Sequence, residues 1–431
     1  MLRTHRPKQD IQHSTRQLAR PSTVDISRRA LLSSACAAVL SLVACHNSSP
    51  SASSPSNWIA TWGTSQQITE PGNLPPAPGL SGNTLRQRVK VSTGGATVRL
   101  RFANTFGNAP LVIGAAALST TPGGSIARVA TARTLKFRGA DSVTIPVGAM
   151  ITSDAFDFDV QPLSELAISL YIASMPSVVT GHPGSRNTSY ITPGNHVLDE
   201  DFTTPAQTDH WYVIADLEVV AEKSAATVVT LGNSITDGRG SGVNKNNRWP
   251  DNLAARLQAN ADTKHVSVVN AGIGGNTVLR GGLGPTALLR FERDVLDRPN
   301  VKWVLLLEGV NDLGGASAPD ADSVADGLIA AYKTMVAKAH ARGIKMYGCT
   351  ILPFGKAGYD TPPREAARQK VNAFVRQPGA FDAVVDFDLV MRDPANPTQL
   401  ISSGETGDHL HPNEAGYVRM ANAIDLKLFK R

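Results

Sequence analysis

Between residues 228 and 242 the chain reads "VVTLGNSITDGRGSG". β-Branched and apolar residues run to Leu231 and then stop at Gly232-Asn233-Ser234. Such a run suits a strand covered on both faces, as in a parallel sheet between helices. Ligands of such sheets bind beyond the carboxyl ends of the strands, so Ser234 stands where a functional residue is expected. Equally, serine is an ordinary turn residue. The segment also misses the G-x-S-x-G nucleophile elbow, because Thr236 occupies the last place. That argues against the ordinary α/β-hydrolase fold.

The pattern downstream of residue 224 extends this reading. Strand signals at 226–231, 265–270, 302–308, 344–351 and 382–387 alternate with helical patterns at 249–259, 286–296, 321–342, 363–376 and 413–428. The stretch "KWVLLLE" (302–308) is apolar through successive positions. Alternating β and α elements predict a parallel sheet flanked by helices. Upstream, from Trp58 to Glu222, the period is two. In "TVRLRF", Val98, Leu100 and Phe102 face one side and Arg99 and Arg101 the other; "ELAISLYI" alternates in the same way at Leu166, Ile168, Leu170 and Ile172. Further strands are expected at 84–92, 111–119, 132–138, 142–147 and 210–221, which predicts an all-β sandwich of jelly-roll type. The organisation expected is therefore a β-sandwich domain over 58–223 and an α/β domain over 224–431.

The start of the chain reads differently. Residues 1–44 carry seven Arg or Lys against Asp10 and Asp25, and end in an apolar run from Leu31 to Ala44. A basic region followed by so short an apolar one describes an export signal, since a membrane span needs about 20 apolar residues. Arg28 and Arg29 resemble the twin-arginine motif. "LVAC" resembles a lipobox, with Cys45 the residue to be lipidated ahead of a Ser/Pro-rich linker, 45–57. The leader's net charge of +5 accounts for most of the chain's +6, so nucleic-acid binding loses its electrostatic support. The protein is expected to be exported, as an envelope lipoprotein or in secreted form, touching membrane only through a lipid on Cys45. Cys349 is alone in the remaining chain, so neither a disulfide nor a cysteine-ligated zinc is expected.

Four segments follow strands or precede the last helix: "GNSITDG", "NAGIGGNT", "EGVNDLG" and "GDHLHPNEAG". The second fails the dinucleotide fingerprint, since Thr277 stands at the final glycine's place. Its glycines offer either a tight turn or a backbone N–H open to a ligand. Asn311 can donate an uncharged hydrogen bond into a cleft, or close an Asx-turn on its own backbone. Asp408 and His411, three apart, can touch, and such contact fixes an imidazole's tautomer. Read otherwise, Asp408, His409 and His411 could begin a metal site, but no second ligand group has convincing spacing.

Together these segments resemble the SGNH hydrolases, the GDSL esterase/lipase superfamily. The G-D-S block appears as Gly232-Asn233-Ser234, with Asn233 in place of the usual Asp. Gly275 matches the second block, Gly309-Val310-Asn311-Asp312 the G-x-N-D block, and Asp408 to Pro412 the D-x-x-H-P block. The resemblance covers about residues 225–430. It implies a flavodoxin-like three-layer α/β/α fold and a serine esterase. In that reading Ser234, His411 and Asp408 form the triad, and Ser234, Gly275 and Asn311 the oxyanion hole, with no metal or cofactor. The β-rich half, beginning "WIATWGTS", looks like that of two-domain bacterial members, where it need not touch substrate. Short-chain acyl or O-acetyl esters of carbohydrate, small or polymeric, are the expected substrates. The alternatives are a lipase or lysophospholipase, and a non-catalytic glycan-binding lipoprotein using Trp58, Trp62 and Trp211, which otherwise are core aromatics. Loops 239–248, 279–285 and 354–362 are expected to wall the pocket.

Overall fold

The computed structural model describes residues 57–430. The expected leader, Cys45 and the linker up to Ser56 lie outside them.

Upstream of Ala225, alternation of apolar and polar residues produces antiparallel sheets. Trp58–Gly63, Ile214–Val220, Gly95–Ala103 and Met150–Thr152 pair in that order, with Phe156–Val160 also on Gly95–Ala103. A second sheet runs Ala206–Thr208, Ser189–Pro193, Asn83–Lys90, Glu165–Ser174, Leu111–Thr120 and Arg133–Thr134, with Val143–Ile145 also on Leu111–Thr120. Val98, Leu100 and Phe102 from the first sheet share one buried core with Leu166, Ile168, Leu170 and Ile172 from the second, so the two are leaves of a sandwich. On the first sheet's other face Arg99 meets Glu218 at 2.5 Å and Arg101 meets Asp216 at 3.4 Å.

Three expected strands are corrected. Those at 132–138 and 142–147 shrink to Arg133–Thr134 and Val143–Ile145. Arg138 turns left-handed (φ 53°), and the Asp154 carboxylate accepts the N–H groups of Arg138 and Gly139 in place of a strand partner. The strand at 210–221 breaks at Val213 (φ 56°), a conformation a β-branched residue seldom adopts. The break sends Trp211–Tyr212 into a small third sheet with Thr180–His182 and Gln67–Ile68. Trp62 and Trp211 are buried edge-to-face at 5.0 Å, and Trp58 lies under the Arg99 guanidinium.

From Ala226 the chain forms a parallel sheet: β1 (Ala226–Gly232), β2 (Val266–Gly272), β3 (Val301–Leu307), β4 (Lys345–Cys349) and β5 (Ala383–Val385). Their order is β2-β1-β3-β4-β5, the flavodoxin order, with its switch point at β1. Helix Trp249–Gln258 packs on Glu414–Asn422, and Ala321–His340 on Pro362–Arg376. Right-handed crossovers that reverse direction at β1 put the two pairs on opposite faces of the sheet. The strand register places the rim of the sheet: Gly232 pairs with Gly272 on one side and Leu307 on the other. β1, β2 and β3 therefore end level, and their next residues emerge at one edge.

Two expected helices differ from a simple rod. The one at 286–296 is a short α-turn, Ala287–Phe291, that widens into a π-turn, Glu292–Leu296. The one at 413–428 stops at Asn422 and resumes as a 3₁₀ turn, Leu426–Phe429, where the Asp425 side chain accepts the Lys427 N–H. Cys349 is buried and unpaired, its thiol pushed up by burial. Among the described residues no helix is long and apolar enough to cross a membrane.

The two halves have separate cores yet fall into one unit by their contacts. Three arginines join them, Arg290 and Arg298 buried and Arg293 partly so. Arg298 donates to the Thr64 carbonyl at 2.8 Å and meets Asp216 at 3.3 Å; Arg290 donates to Ser65 Oγ at 3.0 Å, and Arg293 to the Gln66 carbonyl at 3.0 Å. Gly63 is required where they approach, because a Cβ there would lie 2.3 Å from Asp216 Oδ1. A buried ion pair that loses one partner costs about 3 kcal/mol or more. Arg298→Ala should therefore lower the unfolding temperature of both halves in one calorimetric transition. Two separated transitions would show that the halves do not depend on each other.

Candidate active site

The rim beyond β1, β2 and β3 gathers the four motif segments. Ser234 opens a single helical turn, Ser234–Asp237, capped by Asn233, whose Oδ1 accepts the Ile235 N–H at 3.1 Å. Ser234 Oγ lies 2.9 Å from His411 Nε2. His411 Nδ1 lies 2.6 Å from Asp408 Oδ2, while Asp408 Oδ1 accepts the backbone N–H groups of Leu410 (3.0 Å) and His411 (2.9 Å). One carboxylate thus shapes the turn and orients the ring. With Nδ1–H donating to Asp408, the Nε2 lone pair faces the serine hydroxyl.

Electrostatics favour this arrangement. Burial opposes charge on Asp408, but the bonds from the His411 ring and from the two N–H groups outweigh it and hold the carboxyl well below the usual range. For His411 burial is the largest influence and lowers its basicity; Asp408 pulls the other way, and Arg239 and Arg186 lower it further. The net result is a neutral imidazole, 7% exposed, beside a serine that is 6% exposed.

Donors converge on the same place. Gly275 adopts φ 68°, which a side chain would strain, and its carbonyl accepts the Leu283 N–H at 3.1 Å. Among the described residues no backbone hydrogen bond uses the N–H of Ser234 or of Gly275. Asn311 does not close an Asx-turn. Its Nδ2 donates to the Asn276 carbonyl at 2.7 Å, and its Oδ1 accepts the Tyr359 hydroxyl at 3.0 Å. The second Nδ2 hydrogen remains available to the cleft.

Several supporting residues were not legible in the sequence. Tyr359 fixes which end of the Asn311 amide faces the cleft. Asp312, next to Asn311, accepts the N–H groups of Val278 and Leu279 at 2.9 Å each, tying the β2 loop to the β3 loop. Arg290, fully buried, donates to carbonyls at the ends of β1 and β2, the last of β1 at Gly232 (3.0 Å) and the next-to-last of β2 at Ala271 (2.7 Å), and to Asn276 Oδ1 (3.0 Å). Asn233, at the position where Asp is usual, donates from Nδ2 to Glu308 Oε2 at 3.2 Å. Burial pushes Glu308 up to about 8, and an aspartate at 233 would set a second carboxylate against it. His409, within the triad segment, turns its ring toward Glu405 at 3.3 Å. Among the described residues no group of three or more His, Cys, Asp or Glu is arranged to hold a metal ion.

The cleft over Ser234 has a volume of about 340 Å³. Each of the three expected loops contributes to it, through Arg239, Leu283 and Tyr359. The β-rich half also lines it, through Gln67, Glu70, Asn73, Pro183, Gly184 and Arg186.

The GDSL-like lipase/acylhydrolase family matches this chain over residues 230–419, a span that holds every motif segment. Residues 230–419 are a GDSL acylhydrolase domain. Among solved structures, an acetylxylan esterase from Geobacillus stearothermophilus is 21% identical, with 47% of this chain and 94% of that one covered at a TM-score of 0.35. A GDSL-like lipase from Bacteroides thetaiotaomicron is 20% identical, with 47% and 87% covered at a TM-score of 0.34. No curated protein sequence matches. The match makes acyl hydrolysis the chemistry to test for residues 230–419.

The Tyr359–Asn311 contact yields a test. Asn311→Ala should lower kcat about 10²- to 10³-fold, the usual loss for one oxyanion donor. Tyr359→Phe should lower it several-fold in the parent and leave the Asn311→Ala variant unchanged, as expected of coupled groups. Additive losses would mean that Tyr359 does not act through Asn311.

Proposed function

We propose that the protein is an exported serine esterase that removes short acyl groups, O-acetyl above all, from carbohydrate. The observation that carries this reading is the relay Ser234–His411–Asp408, 2.9 Å and 2.6 Å long, beside two unspent N–H groups. Ser234 Oγ attacks the ester carbonyl carbon as His411 Nε2 takes the hydroxyl proton, and the carbonyl electron pair moves onto oxygen. The oxyanion lies against the N–H groups of Ser234 and Gly275 and the Nδ2 of Asn311, donors held in position before the charge appears. When the tetrahedral centre collapses, the bond to the alcohol oxygen breaks and His411 returns its proton to that oxygen. Water, activated by the same imidazole, then attacks the acyl-serine and releases the carboxylic acid. Every group the reaction needs belongs to the protein. The twin-arginine-like leader and Cys45 support export and lipid anchoring.

Two measurements check the reading. Ser234→Ala should lower p-nitrophenyl acetate turnover at least about 10⁴-fold; a loss under tenfold would remove the serine from the chemistry. The base must be neutral, and His411 titrates below the ordinary histidine value. The acid limb of kcat/KM should therefore fall below about pH 6.5, with activity present above it and lost as His411 takes up a proton. A limb above about pH 7 would contradict the burial argument.

A further inference from the structure

We infer that the β-rich half builds the subsite for the alcohol half of the ester, and that this alcohol is rich in hydroxyls. The inference rests on the esterase reading and adds a direction to it. Two hollows meet at the ridge formed by Gly275, Asn311 and Tyr359: the cleft of about 340 Å³ over Ser234, and a neighbouring one of about 380 Å³ along the loop Thr277–Gly282 and the turn Asp312–Ala316. Two of the three oxyanion donors, Gly275 and Asn311, stand on that ridge, while Ser234 lines only the first hollow; a tetrahedral centre on Ser234 that reaches both donors can extend toward either side of it. His411 must hand its proton to the departing alcohol oxygen, and His411 lines only the first hollow. The alcohol half therefore lies in the first hollow, beside His411, which leaves the second hollow, across Gly275 and Asn311, to the acyl half as part of the same inference.

The wall facing the alcohol half comes from the β-rich half, and it is polar and fixed. Glu70 accepts from Gln67 Nε2 at 2.6 Å and from Asn73 Nδ2 at 3.0 Å. A carboxylate offers about four acceptor positions, so about two remain for a ligand. Arg186 donates to the carbonyls of Gly184 (2.6 Å) and Asp237 (3.3 Å), both from Nη1, which leaves Nε and Nη2 for a ligand. An aligned acceptor and donor suit sugar hydroxyls, each of which is both donor and acceptor; a hydrocarbon chain would strip both of water with nothing in return. The wall is tied to the nucleophile's own turn: His182 Nε2 lies 2.8 Å from Asp237 Oδ1, both buried, and His182 Nδ1 lies 2.9 Å from the Ser65 carbonyl. Tyr212 donates from its hydroxyl to the Asn73 carbonyl at 2.8 Å, holding the segment that carries Glu70.

The test varies alcohol and acyl group separately in the full chain. Wild type, Glu70→Ala and Arg186→Gln are assayed on an acetylated methyl xyloside, p-nitrophenyl acetate and p-nitrophenyl butyrate, at about pH 8 so that His411 stays neutral. In both variants kcat/KM for the sugar ester should fall about tenfold or more relative to p-nitrophenyl acetate, the size expected for one lost bond to a charged group. The acetate-to-butyrate ratio should stay at its wild-type value. A changed acyl ratio with sugar preference intact would overturn the assignment, as would equal losses on all three esters. A wild-type protein that hydrolyses none of them would strike the esterase reading itself, a result distinct from either.

Discussion

The guanidinium of Arg290 is the constraint on which the rim depends. It is fully buried and lies where β1 and β2 end, bonded to the last carbonyl of β1 (Gly232), to the next-to-last of β2 (Ala271) and to the side chain of Asn276. The Gly232 carbonyl also accepts the Ile273 N–H at 3.0 Å, and a buried carbonyl, with two lone pairs, can take a second donor. One arginine supplies donors to both carbonyls and to Asn276 in a fixed fork. Asn276 in turn presents the carbonyl that holds Asn311. Bonds from this one cation therefore set the backbone leading to Ser234, the loop of Gly275 and, through Asn276, the third donor.

A buried cation must be compensated, and the compensation explains a departure in the sequence. Asp294 meets Arg290 at 3.1 Å and Glu308 meets it at 3.5 Å. Burial still pushes Glu308 up to about 8, so this carboxyl is held in its site partly by neutral donors. Asn233 is one of them. At the position where the family's G-D-S block carries aspartate, the amide keeps the capping bond to Ile235 and adds a donor toward Glu308. The replacement is thus compatible with the nucleophile turn.

The features legible in the sequence are those set by local physics. Unbroken apolar strands, period-two strands and loops placed after strands are local signals, and they mark the two parts and the segments that hold Ser234, Gly275, Asn311, Asp408 and His411; the choice of those residues within the segments comes from the resemblance of all four segments together. Long-range packing was not legible. Nothing in "PPREAARQKV" or the loop before it marks Tyr359 as the partner of Asn311, 48 positions away. Nothing in "QQITEPGN" marks Glu70 as part of a cleft whose serine lies in the other half. In the sequence Arg290 is one more charge within the helical pattern at 286–296, and only its burial reveals its partners. The break at Val213 was hidden for a related reason: Trp211 is drawn into a different sheet, against the local preference of a β-branched residue.

The central claim is that donors from three separate strand ends and a triad from both ends of the acylhydrolase domain converge on one tetrahedral centre. A crystal structure of the protein after reaction with a small fluorophosphonate addresses it directly. Phosphorus should be bonded to Ser234 Oγ, with its non-bridging oxygen about 3 Å from the Ser234 and Gly275 nitrogens and from Asn311 Nδ2. An adduct on another residue, or a phosphonyl oxygen turned to solvent away from those donors, would contradict it.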